Sequence, residues 1–148
     1  MSIKNSIKIL LAFVLARFLL IYVYQPTKGY IEFFDVGQGD SIFISTHAGK
    51  TILVDTGPDN SLDARLNEKF YLRECFLDMV VITHPHLDHY GGLGRLIKKC
   101  RINTLIINSV PPELSEVTLS ANIGRVRQLY LGDIITTDGM RFCVFCRP

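Results

Sequence analysis

The sequence predicts a mixed α/β (α+β) domain, a sheet with helices packed outside it, preceded by one N-terminal transmembrane helix. Three observations carry this. Strand-like segments come first, between residues 30 and 55. Strand and helix patterns then alternate, which implies a mixed sheet covered by helices. Ahead of both lies a nearly unbroken apolar run, interrupted by Arg17. With 148 residues, 48% hydrophobic and 20% charged, the chain is one globular domain rather than a disordered segment.

Lys4 and Lys8 precede the run Ile9–Ala16, and Phe18–Tyr24 continues it after Arg17. A helix over residues 7–24 spans about 27 Å, against a hydrocarbon core of ~30 Å. Residues 1–24 are therefore expected to be an uncleaved membrane anchor, with the following domain outside the cytoplasm. A cleaved signal peptide, leaving a secreted form, is the alternative, but no A-x-A-like site precedes Gln25. Residues 25–29 are a linker, and residues 30–148 form the domain.

Strands are predicted over residues 30–35, 41–45 and 51–55, separated by Gly37-Gln38-Gly39 and His47–Lys50. Leu62, Leu66, Phe70 and Phe76 are spaced for one face of a helix over residues 61–76. Asp78–Thr83 is an apolar run fit for a strand buried on both faces. Helices follow at 88–99 and 112–122, and strands at 102–107, 125–131, 134–136 and 140–145. Thr137-Asp138-Gly139 is the turn between the last two.

The chain holds 16 basic and 14 acidic residues. Four basic residues and no acid lie in residues 1–28, so the remainder carries 12 against 14, a net charge near −2. A body this close to neutral gives no general electrostatic reason to bind nucleic acid. Arg95, Lys98, Lys99 and Arg101 read as a solvated helix face. Cys75 and Cys100 read as small core residues, and Cys143-Val144-Phe145-Cys146 lacks the second pair of a zinc knuckle.

The chemistry concentrates in His84-Pro85-His86-Leu87-Asp88-His89, directly after the buried strand. On extended backbone His84 and His86 project to one side. Imidazole and carboxylate together suit zinc, iron or manganese. One ion can take His84 and His86, and a second Asp88 and His89. A ligand cluster at the carboxyl end of a sheet strand is well placed for a site.

H-x-H-x-D-H after an apolar strand, followed by Gly91-Gly92, resembles the signature of the metallo-β-lactamase superfamily. Phe33–Ser41 and Ile52-Leu53-Val54-Asp55-Thr56-Gly57 resemble its ComEC-like members, the soluble domains of DNA-uptake proteins and their stand-alone relatives. The similarity covers residues 30–148. It implies the N-terminal half of an αββα sandwich and a two-metal zinc site, with manganese or iron as alternatives. The implied ligands are His84, His86, Asp88 and His89. Asp88 and Asp55 are the implied catalytic residues, Asp88 orienting a metal-bound hydroxide and Asp55 orienting ligands. Asp40 is expected near the site. The implied reaction is hydrolysis of an ester, with a phosphodiester of nucleic acid as the substrate class. A non-catalytic metal-binding module and a lactonase- or lactamase-like enzyme are the rival readings.

Two departures stand out. Many ComEC domains carry an acid where this chain has His86. The family also adds later histidines and a bridging Asp, whereas no histidine follows His89. His47 is read as exposed in a turn, and Asp133 is the candidate for the bridging position. The chain is accordingly expected to be incomplete at its C-terminus, with half of each metal site.

Overall fold

Six strands build the main sheet of the computed structural model, which describes residues 3–23, 28–115 and 120–144. In chain order these are β1 (Tyr30–Phe33), β2 (Ile42–Ser45), β3 (Thr51–Val54), β4 (Phe76–Ile82), β5 (Arg101–Ile107) and β6 (Ile123–Arg127). They lie side by side in that same order. The first two junctions are antiparallel and the remaining three are parallel. The sheet is mixed, as the sequence predicts. A separate hairpin pairs β7 (Ile134–Thr137) with β8 (Met140–Cys143).

Helices α2 (Ser61–Lys69) and α4 (Leu93–Lys99) supply the cover over one face. Leu62 and Leu66 from α2, and Leu93, Leu96 and Ile97 from α4, bury against Phe43, Leu53, Val80 and Leu105 of the sheet. Each such side chain contributes about 1.5–3 kcal/mol through removal from water. The other face is partly covered by the hairpin. Ile52 lines a cavity of about 230 Å³ together with Ile135 and Thr136. Thr46 Oγ1 donates to Asp138 at 2.6 Å, tying the hairpin tip to the end of β2.

Several boundaries differ from expectation, each for a local reason. Helix α2 stops at Lys69 rather than residue 76, because Leu72 turns to φ 60° and Phe76 pairs with Arg101 as the first residue of β4. The helix expected over 88–99 is two pieces, α3 (Leu87–Tyr90) and α4. Of the expected helix 112–122, the described part holds only a 3₁₀ turn at Pro112–Leu114. There Ser115 Oγ donates to the Pro112 carbonyl, and Asn122 Nδ2 donates to the Ile97 carbonyl of α4 while its main-chain carbonyl accepts from the Ile102 amide of β5. The local Ser115 bond competes with a helix ladder, and the Asn122 bonds tie the chain to α4 and β5 instead. Strand β6 ends at Arg127, after which Asn108 takes both the amide and the carbonyl of Leu129. Cys75 and Cys100 are not merely core residues but a disulfide. Cys146 lies outside the described residues.

The N-terminal segment does form a helix, α1 (Ile3–Val23). Among the described residues, however, no helix is long and apolar enough to cross a membrane. Lys8 and Arg17 interrupt the apolar run of α1. The expected transmembrane span is corrected to an exposed apolar helix, with Phe13 and Phe18 each 73% exposed.

Candidate metal centre

Three loops meet at the carboxyl ends of β3 and β4. They are residues 34–41 between β1 and β2, residues 55–60 after β3, and residues 83–86 leading into α3. Backbone hydrogen bonds knit them. The Thr56 amide and hydroxyl both donate to the His89 carbonyl, at 2.7 and 3.0 Å. The Gly57 amide donates to the Asp40 carbonyl at 3.1 Å, and the Gly92 amide to the Gly57 carbonyl at 3.0 Å.

Glycine is required where these loops touch. A Cβ on Gly39 would lie 2.1 Å from the Asp88 carbonyl oxygen, and one on Gly91 would lie 1.9 Å from that of Pro58. Neither clash has a flexible partner that can yield, because both oxygens are main chain. Gly91 thereby explains the break between α3 and α4: the chain passes against the loop after β3 at that point.

Asp55 is the hub. It is 3% exposed, and at φ 59° it holds a conformation unusual for a residue with a side chain. Such a backbone costs about 1–3 kcal/mol and persists only where its surroundings fix it. Here its amide donates to the Val81 carbonyl, and Ser41 Oγ donates to its carbonyl. Its carboxylate accepts from the Thr83 amide at 2.8 Å, the Thr83 hydroxyl at 2.7 Å and His89 Nδ1 at 2.8 Å.

These bonds fix two imidazole tautomers. A carboxylate only accepts, so His89 donates from Nδ1, and the neutral ring then carries its lone pair on Nε2. Thr83 spends its single hydroxyl proton on Asp55, so its contact with His84 Nδ1 at 2.9 Å must be an acceptance. The neutral His84 ring likewise carries its lone pair on Nε2. One buried carboxylate orients both rings, directly for His89 and through Thr83 for His84.

The predicted residues come together unevenly. The His84 ring sits 3.8 Å from that of His89 and 4.7 Å from that of His86, centre to centre. Asp88 Oδ2 lies 3.6 Å from His89 Nε2, and Asp40 Oδ2 lies 4.0 Å from His89 Nδ1. Both acids are largely exposed. Asp133 is elsewhere: its carboxylate accepts from the Tyr130 amide within its own turn. His47 is exposed and accepts from the Gly29 amide.

Among the described residues, no group of three or more His, Cys, Asp or Glu side chains is arranged to hold a metal ion. The imidazoles pack ring against ring instead of converging their nitrogens. The donor chemistry nevertheless fits zinc, with two Nε2 lone pairs prepared and His86 and Asp88 adjacent. Capture of an ion takes rotation of side chains, chiefly the exposed His86 and Asp88.

Two residues beyond the predicted set matter. Thr83 relays Asp55 to His84; its place immediately before His84 at the end of an apolar strand was the available signal. Tyr90 donates its hydroxyl to Glu113 at 2.6 Å, fastening α3 to the 3₁₀ turn. That bond pushes the Tyr90 hydroxyl up from its ordinary value and holds the Glu113 carboxyl below its own.

The profile of the metallo-beta-lactamase superfamily matches residues 34–121. The chain belongs to that superfamily. All three loops of the centre fall within the match. Among relatives of this superfamily member, ComE operon protein 3 of Bacillus subtilis (strain 168) is 26% identical over an alignment covering 85% of this chain and 19% of that protein. Endoribonuclease ysh1 of Schizosaccharomyces pombe is 26% identical, with 68% of this chain and 15% of that protein covered. The chain thus spans less than a fifth of these two relatives. The crystal structure of MEM-A1, a subclass B3 metallo-beta-lactamase isolated from a soil metagenome library, superposes with a TM-score of 0.55 at 14% identity. That alignment covers 79% of this chain and 51% of MEM-A1, and it supports the fold alone.

Proposed function

We propose that the chain is the site-bearing part of a metal-dependent hydrolase of the ComEC-like type, acting on a phosphodiester such as that of nucleic acid. The observation that supports this reading is the tie from Asp55 to both His89 and, through Thr83, His84. It leaves both Nε2 lone pairs ready for a metal, as orienting carboxylates do in metal sites. His84 and His86 would hold one zinc and Asp88 and His89 a second, with manganese or iron as alternatives. A metal bound there supplies Lewis acidity and a water nucleophile at neutral pH. Asp55 would hold the rings, and Asp88, beside His89, would hold one metal and orient the nucleophile. The phosphodiester class rests on similarity to a ComE operon protein and to a protein named an endoribonuclease.

The experiment is hydrolysis of bis-p-nitrophenyl phosphate with zinc or manganese added. Turnover lost in both His84→Ala and Asp88→Asn supports the reading. Zinc binding without turnover would leave a non-catalytic metal-binding module. Hydrolysis of a β-lactam or lactone, but not the phosphodiester, would replace the substrate class.

We also infer that α1 inserts its apolar side chains into lipid, because Leu10, Leu11, Phe13, Leu15 and Phe18 are all more than half exposed.

A further inference from the structure

The disulfide between Cys75 and Cys100 sits at the opposite end of the sheet from the histidines. Cys75 immediately precedes β4 and Cys100 immediately precedes β5, and these strands are parallel neighbours paired from Phe76 and Arg101 onward. The Arg101 amide donates to the Cys75 carbonyl at 2.9 Å, so the covalent link adds to a backbone junction already in place. The 25-residue separation it closes contains every residue from His84 to His89.

The two sulfurs live in different surroundings. Cys100 is 1% exposed, inside the core with Leu96 and Ile97. Cys75 is half-buried and lines an open cavity of about 520 Å³ with Phe70, Leu72 and Lys99. An attacking thiolate can therefore approach only the Cys75 side. Attack there expels Cys100 as a thiolate into apolar surroundings, where a bare charge is strongly disfavoured and makes a poor leaving group. The folded domain protects its own disulfide. The same barrier works in reverse, since Cys100 must ionise to close the bond.

We infer that Cys75 and Cys100 are joined by an oxidant carrying a disulfide before β4 and β5 close over Cys100, so that the domain matures in an oxidising compartment and then keeps a permanent staple at the end of the sheet opposite its histidine loop. The Cys75 thiolate attacks the disulfide of the oxidant, and a mixed disulfide forms. The Cys100 thiolate then attacks Cys75 Sγ, the intramolecular bond forms, and the oxidant leaves as a dithiol carrying two electrons and two protons. Closing a loop of this length favours the folded state by about a few hundred-fold through the lost freedom of the unfolded chain.

The test uses the full chain in detergent, purified from an oxidising and from a reducing compartment. Each sample is unfolded without reductant, alkylated with iodoacetamide and mapped by mass spectrometry. Cys75 and Cys100 should be unlabelled and linked in the oxidising product. Glutathione should open the link in the folded protein no faster than global unfolding. A Cys75→Ala/Cys100→Ala variant should melt on the order of 10 °C lower. Alkylation of both residues in the oxidising product overturns the inference, as does rapid opening by glutathione in the folded state. If the double variant fails to fold, the labelling and reduction results on the natural chain decide. None of these readouts involves a metal or turnover, so they stand apart from the proposed hydrolase activity.

Discussion

Asp55 and His89, 34 positions apart in the chain, share a buried hydrogen bond of 2.8 Å between Oδ2 and Nδ1. The bond joins the end of β3 to the helix that follows β4, so the site depends on the parallel junction of those strands. An Asp55→Ala variant should bind zinc about 10–100-fold more weakly, because both His84 and His89 lose their orienting partner. Thr83→Val should weaken binding less, since it removes only the relay to His84. A competition titration against a chromophoric chelator measures both. Wild-type affinity in Asp55→Ala would show that the rings are held by something other than this carboxylate.

Gly39→Ala tests the loop contact. The added methyl would meet the Asp88 carbonyl oxygen at 2.1 Å, on a residue already at φ 119°. The loop must move off α3, and Asp88 moves with it. A stability loss of about 1–3 kcal/mol is expected from the strain, read by urea unfolding. Zinc binding should weaken in the same variant. Unfolding within ~0.5 kcal/mol of wild type would mean the loops do not touch as described.

The histidine cluster was legible because it is local: six consecutive residues after an apolar strand declare both the ligand types and their end of the sheet. The mixed sheet was legible for a similar reason, since Tyr30–Phe33, Ile42–Ser45 and Thr51–Val54 are short strands with turn residues between them. What stayed hidden is long-range. Nothing near Cys75 says that Cys100 is its partner; only the parallel register of β4 and β5 brings them together. The Gly91–Gly92 break looked like helix continuation, because the carbonyls that exclude a Cβ belong to Thr56 and Pro58. Ile52 is 2% exposed because the β7–β8 hairpin, distant in sequence, folds back over it.

The Tyr90–Glu113 bond carries a pH signature. Glu113 has its carboxyl lowered from 4.5, mainly by the Tyr90 hydroxyl. A carboxyl lowered on folding contributes stability above its unfolded value and loses it as pH falls through the folded one. Tyr90→Phe should therefore melt a few degrees below wild type at neutral pH. The gap should narrow as pH drops below about 4.5, where Glu113 takes up a proton in both proteins. Tyr90 is raised from 10.0, so the bond is not lost on the alkaline side until above that value. A gap that is the same at pH 3 and pH 7 would assign the effect to packing of the ring instead of the hydrogen bond.

Helix α1 poses the remaining test. Its side chains from Ile7 to Leu19 include nine large apolar groups more than half exposed. Each would gain about 1.5–3 kcal/mol on full removal from water, so even partial burial in lipid outweighs the cost of placing Arg17 near the bilayer, about 2.5–3.5 kcal/mol at the centre and less near the surface. Lys8 and Arg17, nine residues apart, can extend their charged ends toward headgroups while their stems stay in the apolar layer. The full chain should sediment with membranes and resist a carbonate wash, whereas a Leu11→Glu/Leu15→Glu variant should be released. Release of the unaltered chain by carbonate would limit α1 to a peripheral contact. A mature N-terminus near Gln25 would show instead that the helix is removed, and that the domain acts in solution.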